Sequence, residues 1–539
     1  MSLSELFNIA NSALNASQAG LSVTSNNIAN ANTPGYNRQA VVLSITSPLE
    51  MGNGYMGMGV TVDGITSSTN RFIQAQMVDQ EQNVGMSNAM NQTLSQVEQI
   101  FNEAQNVGLS TPLTDYFNAW SDVASDPTSQ TPRTVLLQKA GVLVSSAQTM
   151  ETNILQALNQ TTTGVDDDVK QVNSIATQIA ALNGEIVKTE AGNTGVKAND
   201  LRDQRDQLMN QLSNLVGNAS FEDQNGALTV TVGMQNLVAG TKASTLSTAM
   251  DQNGNKQLVL DGTNITSNVN NGQIGGLLAA GSEIQSGPLF GLRKLIASVT
   301  KEVNLLHESG SGLDSSTGNN FFNPLQLSTE NYSSGANITA SIANLSQVNL
   351  DEYSIGFDAG GNYTVTDKQT GTVAATGAYT SGNSISFDGI QVTITGGVTS
   401  ADSFVVSPLT NAIKNFGVAI SDPNKVAAAS VAGDLPGDNS NALQIAQVSG
   451  TTIANLGNST FSDYYSGLVS GIGSASQAAS DNSTFNQNLL TEITSQRDAI
   501  SGVSLDEEAA NLIKYQRAYE AGAKMISITD ELLQTVINL

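Results

Sequence analysis

The chain has 539 residues, 39% of them hydrophobic, which is long and apolar enough for several domains with real cores. Its 47 Asp and Glu against 21 Lys and Arg give a net charge of −26, which argues against nucleic acid or an anionic membrane as a partner. Cysteine is absent, so disulfides and thiolate metal sites are excluded.

Only 13% of residues are charged, against roughly 25% in an ordinary domain. Polarity comes from Ser, Thr, Asn, Gln and 49 glycines, a surface suited to packing against copies of itself. The charge is also uneven. Residues 1–76 carry two arginines against three acids, residues 505–539 carry three bases against six acids, and the middle holds the remaining −22. Near-neutral ends and an acidic middle are expected if the ends are buried in an assembly. No basic residue precedes Arg38 and no apolar stretch precedes it, so a cleavable signal peptide is not expected. No run reaches the ~18 apolar residues of a membrane span.

Residues 4–31 read as a helix. Leu3, Phe7, Ala10, Leu14, Ser17, Leu21, Thr24 and Ile28 fall at steps of four and three, one side of a helix and the seam of a coiled coil. Asn32, Thr33, Pro34, Gly35 and Tyr36 close it with a turn. Ala40–Ile45 and Val60–Ile65 read as short strands around the glycine-rich stretch 52–59. That stretch lacks the Gly-Lys-Ser/Thr of a phosphate loop and reads as a flexible loop. A helical run follows over about 71–106, and another begins near Leu113, with Tyr116 and Trp120 as core anchors.

Val165, Val169, Val172, Ala176, Ile179 and Ile186 share a face. A break at Gly192–Gly195 and a second stripe of Leu201, Leu208, Leu212 and Leu215 predict an antiparallel helical hairpin, with Arg202 and Asp206 as a solvated i,i+4 pair. Asp166, Asp167 and Asp168 lack the spacing of a calcium loop and read as a solvated helix start. Leu228, Val230 and Val232 alternate after an Asn225-Gly226 turn. Helix returns over about 276–307, ending on His307, the sole histidine. No nucleophile or acid is organised around it, so it reads as a satisfied core or surface histidine.

Residues 345–407 form the clearest β region. Tyr353, Ile355 and Phe357 alternate, as do Ile390, Val392 and Ile394, with hairpin turns expected at Gly360-Gly361 and Gly396-Gly397. The last helix starts at Ser504, whose spacing to Glu507 is a capping box. Its stripe is Leu505, Ala509, Leu512, Tyr519, Ala523, Ile526, Leu533 and Ile537.

Two such stripes at opposite ends predict that the termini meet, in one chain or between copies. The expected class is α+β multidomain: a helical bundle or coiled coil of the N- and C-terminal segments, a helical body, and an inserted β-rich domain. The boundaries are 1–75 for the N-terminal helix and loop, 76–216 for the helical body and 217–265 for a small β segment. The body continues over 266–344, the β insertion occupies 345–410, the body returns over 411–503, and 504–539 is the C-terminal helix. No catalytic, cofactor or metal constellation is visible, so a non-enzymatic role is expected.

The run Asn26–Tyr36 resembles the N-terminal signature of bacterial flagellar rod, hook and hook-associated proteins, and Glu508–Tyr519 resembles their C-terminal signature. Residues 57–76, 112–137, 200–212 and 275–322 are similar to the flagellar hook-associated protein 1 (FlgK) family. The resemblance implies a structural subunit of the extracellular flagellum, joining hook to filament and exported unfolded by the flagellar type III system. It implies assembly through the terminal helices, here Leu3, Phe7, Leu14, Leu21, Ile28, Leu505, Leu512, Tyr519, Ile526, Leu533 and Ile537. The implied partners are copies of itself, the hook protein, a second, filament-side hook-associated protein, and a cytoplasmic export chaperone on the C-terminal region, with neither nucleic acid nor membrane. The other readings are a different axial protein of hook or rod type, or a secreted adhesin. Replacement of His307 by alanine is expected to leave motility intact.

Overall fold

A computed structural model describes residues 3–51, 54–103, 108–191, 197–251 and 256–538. The helices are α1 (Leu3–Ala29), α2 (Arg71–Ile100), α3 (Ser110–Ser125), α4 (Gln130–Glu190), α5 (Asn199–Leu215), α6 (Gly272–Ile284), α7 (Phe290–Ser309), α8 (Ser440–Val448), α9 (Phe461–Ser501) and α10 (Leu505–Ile537). With its antiparallel sheets the protein is α+β and multidomain. The chain separates into two compact units, residues 1–89, 164–278 and 480–539, and residues 90–163 and 279–479.

In the first unit, β1 (Gln39–Ile45) and β4 (Val60–Ser67) form a ribbon, with β2 (Leu49–Met51) and β3 (Gly54–Met56) as a second hairpin between them. The described part of the glycine-rich stretch is therefore a strand pair where a flexible loop was expected. Strand β5 (Asn218–Glu222) edges a four-stranded sheet with β6 (Leu228–Val232), β7 (Gln235–Ala239) and β8 (Lys242–Ala243); β9 (Leu246–Met250), β10 (Lys256–Leu260) and β11 (Thr263–Asn264) form another. The apolar face of α4 from Val165 to Ile179 packs with Leu212, Val230 and Leu258 into one core. The expected break at 192–195 lies outside the described residues.

Two local expectations fail here. Arg202 does not pair with Asp206; it bridges Glu190 at 2.7 Å and Glu222 at 2.9 Å, because Asn225-Gly226 folds β5 back beside α5. The Asp166–Asp168 run is mid-helix, not a helix start. Asp166 binds Lys256 and Thr248, and Asp168 is buried, which lifts its carboxyl to about 6.

The second unit contains two cores. One is helical, built around Trp120, Tyr116, Phe321, Phe322 and Phe416. The other belongs to the β insertion, where β12 (Ser328–Asn331) and β13 (Ala336–Ile342) precede β14 (Tyr353–Phe357), β15 (Asn362–Asp367), β16 (Val373–Ala378), β17 (Ser384–Phe387), β18 (Ile390–Gly396) and β19 (Ser403–Ser407). The strands thus start at Ser328, upstream of 345. β19 pairs with β12 and β14 while β18 pairs with β13 and β17, so Gly396-Gly397 links two sheets and is not a hairpin turn. Gly360-Gly361 does join paired strands, Gly361 taking φ +76°.

His307 is fully buried in the helical core. Its Nδ1–H donates to the Asn319 carbonyl at 2.6 Å, and Nε2 accepts from the Ala427 N–H at 3.0 Å. Burial, reinforced by Arg133, lowers its pKa to about 4. Both ring nitrogens are satisfied, and loss of the ring would strand two buried backbone groups at a cost in stability.

Candidate assembly site at the paired termini

Helices α1 and α10 run antiparallel against each other. Asn27 meets Glu508, Gly20 meets Tyr515 and Leu14 meets Gly522, so steps of seven and six along α1 are answered by steps of seven along α10. The facing residues are small or polar. On α1 the buried positions include Ala10, Ser17, Gly20, Thr24 and Asn27; on α10 they are Glu508, Gly522 and Thr529. Close approach requires this. A Cβ on Gly20 would lie 2.5 Å from the Tyr515 ring.

The seam is therefore rotated away from the large residues of the two stripes. Leu3, Leu14, Leu21 and Ile28 are half-buried at its flank, as are Leu512 and Ile526, whereas Phe7, Leu505, Tyr519, Leu533 and Ile537 are exposed. Other large side chains on α10 join them outside: Ile513 at 59% exposure, Val536 at 60%, and Ile528 and Leu532. A single chain rarely leaves so much apolar side chain in water without a partner.

A polar clasp sets the register. Asn27 uses its whole amide: Nδ2 donates to the Gln39 carbonyl at 2.8 Å and to Glu508 at 3.1 Å, and Oδ1 accepts from the Gln39 N–H at 3.0 Å and the Tyr36 hydroxyl at 2.8 Å. Glu508, 2% exposed, also takes the Arg38 guanidinium at 2.7 Å. Burying a carboxylate is tolerable only with such partners. The clasp follows from the turn: Tyr36 N–H closes onto the Thr33 carbonyl at 3.2 Å, with Pro34 second and Gly35 third at φ +81°, the requirements of a type II turn. Asn32, Thr33 and Pro34 are exposed, Gly35 is half-buried, and Tyr36 turns inward. Burial, with Asp200, Asp203 and Glu508 nearby, pushes the Tyr36 hydroxyl up to about 12.

The turn is also tied to α5. The Asn37 N–H and side-chain amide bind Asp203 at 3.0 and 2.6 Å, and Gln39 binds Asp200 at 2.7 Å. At the start of α10, Ser504 accepts from the Glu507 N–H, as its capping-box spacing predicts. Sequence reasoning missed Gly20, Asn27, Arg38, Glu508 and Gly522 as seam residues. The signal available was a seven-residue spacing of small or polar residues, Ala10, Ser17 and Thr24 beside Gly20 and Asn27, running next to the larger apolar stripe.

The arrangement contains a structural seam and no reacting constellation. Among the described residues no group of three metal-ligating side chains occurs, and no helix is long and apolar enough to cross a membrane. Across its whole length the chain is 30% identical to flagellar hook-associated protein 1 of Escherichia coli (strain K12), covering 100% of both. The chain belongs to the flagellar hook-associated protein 1 family. It is 27% identical to flagellar hook-associated protein 1 of Bacillus subtilis (strain 168), over 98% of this chain and 97% of that one.

The family models agree segment by segment. The flagellar hook-associated protein FlgK helical domain matches residues 94–322 and the flagellar hook-associated protein 1 D2-like domain matches 327–408. The flagella basal body rod protein model matches 7–37 and the rod FlgEFG C-terminal model matches 494–539. The fold is that of the flagellar hook junction protein FlgK from Burkholderia pseudomallei, with TM-score 0.68 and 19% identity, covering 79% of this chain and 100% of that structure. This is a flagellar junction protein of a structural, non-enzymatic family.

Proposed function

We propose that the protein joins the hook to the filament of the extracellular flagellum, and that α1 and α10 carry its assembly. The observation behind this reading is the apolar coat left outside the α1–α10 seam. Within the chain the helices pair through small residues and the Asn27–Glu508 clasp. Their large side chains, Phe7, Leu505, Tyr519, Leu533 and Ile537 among them, are left for neighbouring copies, for the hook protein on one side and for the filament-side hook-associated protein on the other. Burying each would contribute roughly 1.5–3 kcal/mol.

Export unfolded through the flagellar type III channel fits the same design. Helix α1 is rich in Ser and Asn and contains Gly20, all weaker helix formers than Ala or Leu that depend on packing, and a chain without cysteine cannot cross-link in transit. Before export, the exposed face of α10 is the surface a cytoplasmic chaperone would cover. The test is complementation of a deletion strain, read by electron microscopy. The wild-type chain restores filaments, whereas Leu533→Asp leaves bare hooks; filaments of normal length from Leu533→Asp cells would overturn the reading.

A further inference from the structure

Helix α10 holds a second apolar stripe, distinct from the one that runs from Leu505 to Ile537. Ala518, Ala521, Met525, Ile528 and Leu532 follow one another at steps of three and four, with Lys514 one step ahead of them. All six are exposed, Met525 at 37%, Ile528 at 44% and Leu532 at 46%. At 3.6 residues a turn, this stripe lies roughly 90° to one side of the seam line through Glu508, Tyr515, Gly522 and Thr529. The stripe that includes Leu512, Tyr519, Ala523 and Ile526 lies roughly 70° to the other side. Away from the seam, Arg517, Glu520, Lys524, Ser527, Glu531 and Gln534 form a polar strip. The helix thus gives one face to α1, keeps a polar face away from it, and carries an apolar flank on each side.

Two open flanks suit a head-to-tail contact, in which one flank of each copy meets the other flank of the next. Two details select that pairing over like on like. The first is spacing. Positions 512, 516, 519, 523, 526 and 530 on one flank and 514, 518, 521, 525, 528 and 532 on the other both advance by four, three, four, three and four. For copies running the same way, a shift of two residues brings all six positions into line. In that register Tyr519 lies against Ala521 and Ala523 against Met525, so large meets small as interdigitating helices require. The second is charge. The first set holds one charge, Asp530, and the second holds one, Lys514. Among copies running the same way, like on like would set Asp530 against Asp530 or Lys514 against Lys514, and unlike flanks avoid both.

We propose that adjacent copies of the chain meet flank to flank along α10, the Leu512–Asp530 flank of one seated on the Lys514–Leu532 flank of the next. The occupant of the second stripe is therefore the first stripe of a second copy. Such a contact repeats from copy to copy and does not stop at a pair. The inference rests on the reading that copies of this chain assemble through α10, and it adds which face meets which.

The chain has no cysteine, so single-cysteine variants of the full-length protein can be joined in isolated flagella by a short bis-maleimide and read by immunoblot. Flagella from cells carrying Ala523→Cys alone, or Met525→Cys alone, should give single chains, because each flank meets only the unlike one. Flagella from cells carrying both variants should give a cross-linked dimer that contains one of each. Gln516→Cys with Ala518→Cys, a pair that removes no large apolar side chain, should repeat the result. All four positions are exposed, so the melting temperature of each free chain should be unchanged. Dimer from one variant alone would mean that like meets like. No dimer, with either thiol still shielded from maleimide in flagella, would mean that another partner covers these flanks. Either result overturns the proposal and leaves the assembly reading standing. Should both thiols react as fast in flagella as in the free chain, both fall.

Discussion

In the helical body, Trp120, Tyr116, Phe321 and Phe322 are enclosed by their own chain, and the edges of their rings meet at centroid distances of 4.9–5.8 Å. On α10 the pattern is reversed: Glu508, Gly522 and Thr529 are buried, while Ile513, Leu533 and Val536 face outward. The first region spends its large side chains on its own stability. The second holds its register with hydrogen bonds and backbone proximity and leaves its large side chains available. The proposed assembly accounts for both kinds of region, because a terminal pair that buried everything within one chain would have nothing left to offer a neighbour.

That contrast can be broken most severely at the clasp. Glu508→Ala removes the acceptor that the Arg38 guanidinium and the Asn27 amide share, while Arg38 keeps Glu507 and Asn27 keeps the Gln39 carbonyl, at a cost of about 1.5–3 kcal/mol to the helix pair. Hydrogen exchange over residues 10–27 in the free chain should then quicken by about ten- to a hundredfold, with the body unaffected. Unchanged exchange would place the register elsewhere than in the clasp.

Comparable in size is a pH effect confined to the body. His307 titrates near 6.5 when unfolded and near 4 when folded, so the folded form binds fewer protons between those values. Stability that His307 leaves intact above pH 6.5 is lost as pH falls toward 4, by on the order of 3 kcal/mol in total. Urea unfolding followed by Trp120 fluorescence reads the body alone, since Trp120 is the chain's single tryptophan. His307→Gln should lower stability at pH 7 and flatten its fall between pH 6.5 and 4; an equal slope in both proteins would exclude His307 as the source.

A smaller effect is expected at the seam's closest approach. Gly20→Val drives a side chain into the Tyr515 ring and should cost about 1–3 kcal/mol. Tyr515→Ala should recover part of it in a double-mutant cycle of thermal melts; strictly additive losses would mean the two residues do not meet. Smallest in the free chain is Val536→Asp, expected to change stability by less than about 0.5 kcal/mol while abolishing filaments, which places its role between molecules.

Much of this was legible in the sequence, for identifiable reasons. Heptad spacing and the two end signatures pointed to a meeting of the termini, and the alternation around Ile355 and Val392 located the insertion. The rotation of the seam was not legible, because a search for apolar period weights Leu and Phe and passes over Gly20 and Gly522. The clasp joins residues 481 positions apart, and no local pattern marks Asn27 as the partner of Glu508. Strand β12 has no apolar residue to alternate, whereas Ala336, Ile338, Ala340 and Ile342 of β13 do alternate and were passed over. Arg202 has an acid four residues on, yet Glu190 and Glu222 are brought closer by the fold.

The account depends on one face of α10 being open in the free chain and covered in the flagellum. Because the protein has no cysteine, single-cysteine variants read this directly by maleimide labelling. Ile513→Cys should label fast in the free chain and at least about a hundredfold slower in isolated flagella, while Thr529→Cys, in the seam, stays slow in both. Equal, fast labelling of Ile513→Cys in both states would contradict the account.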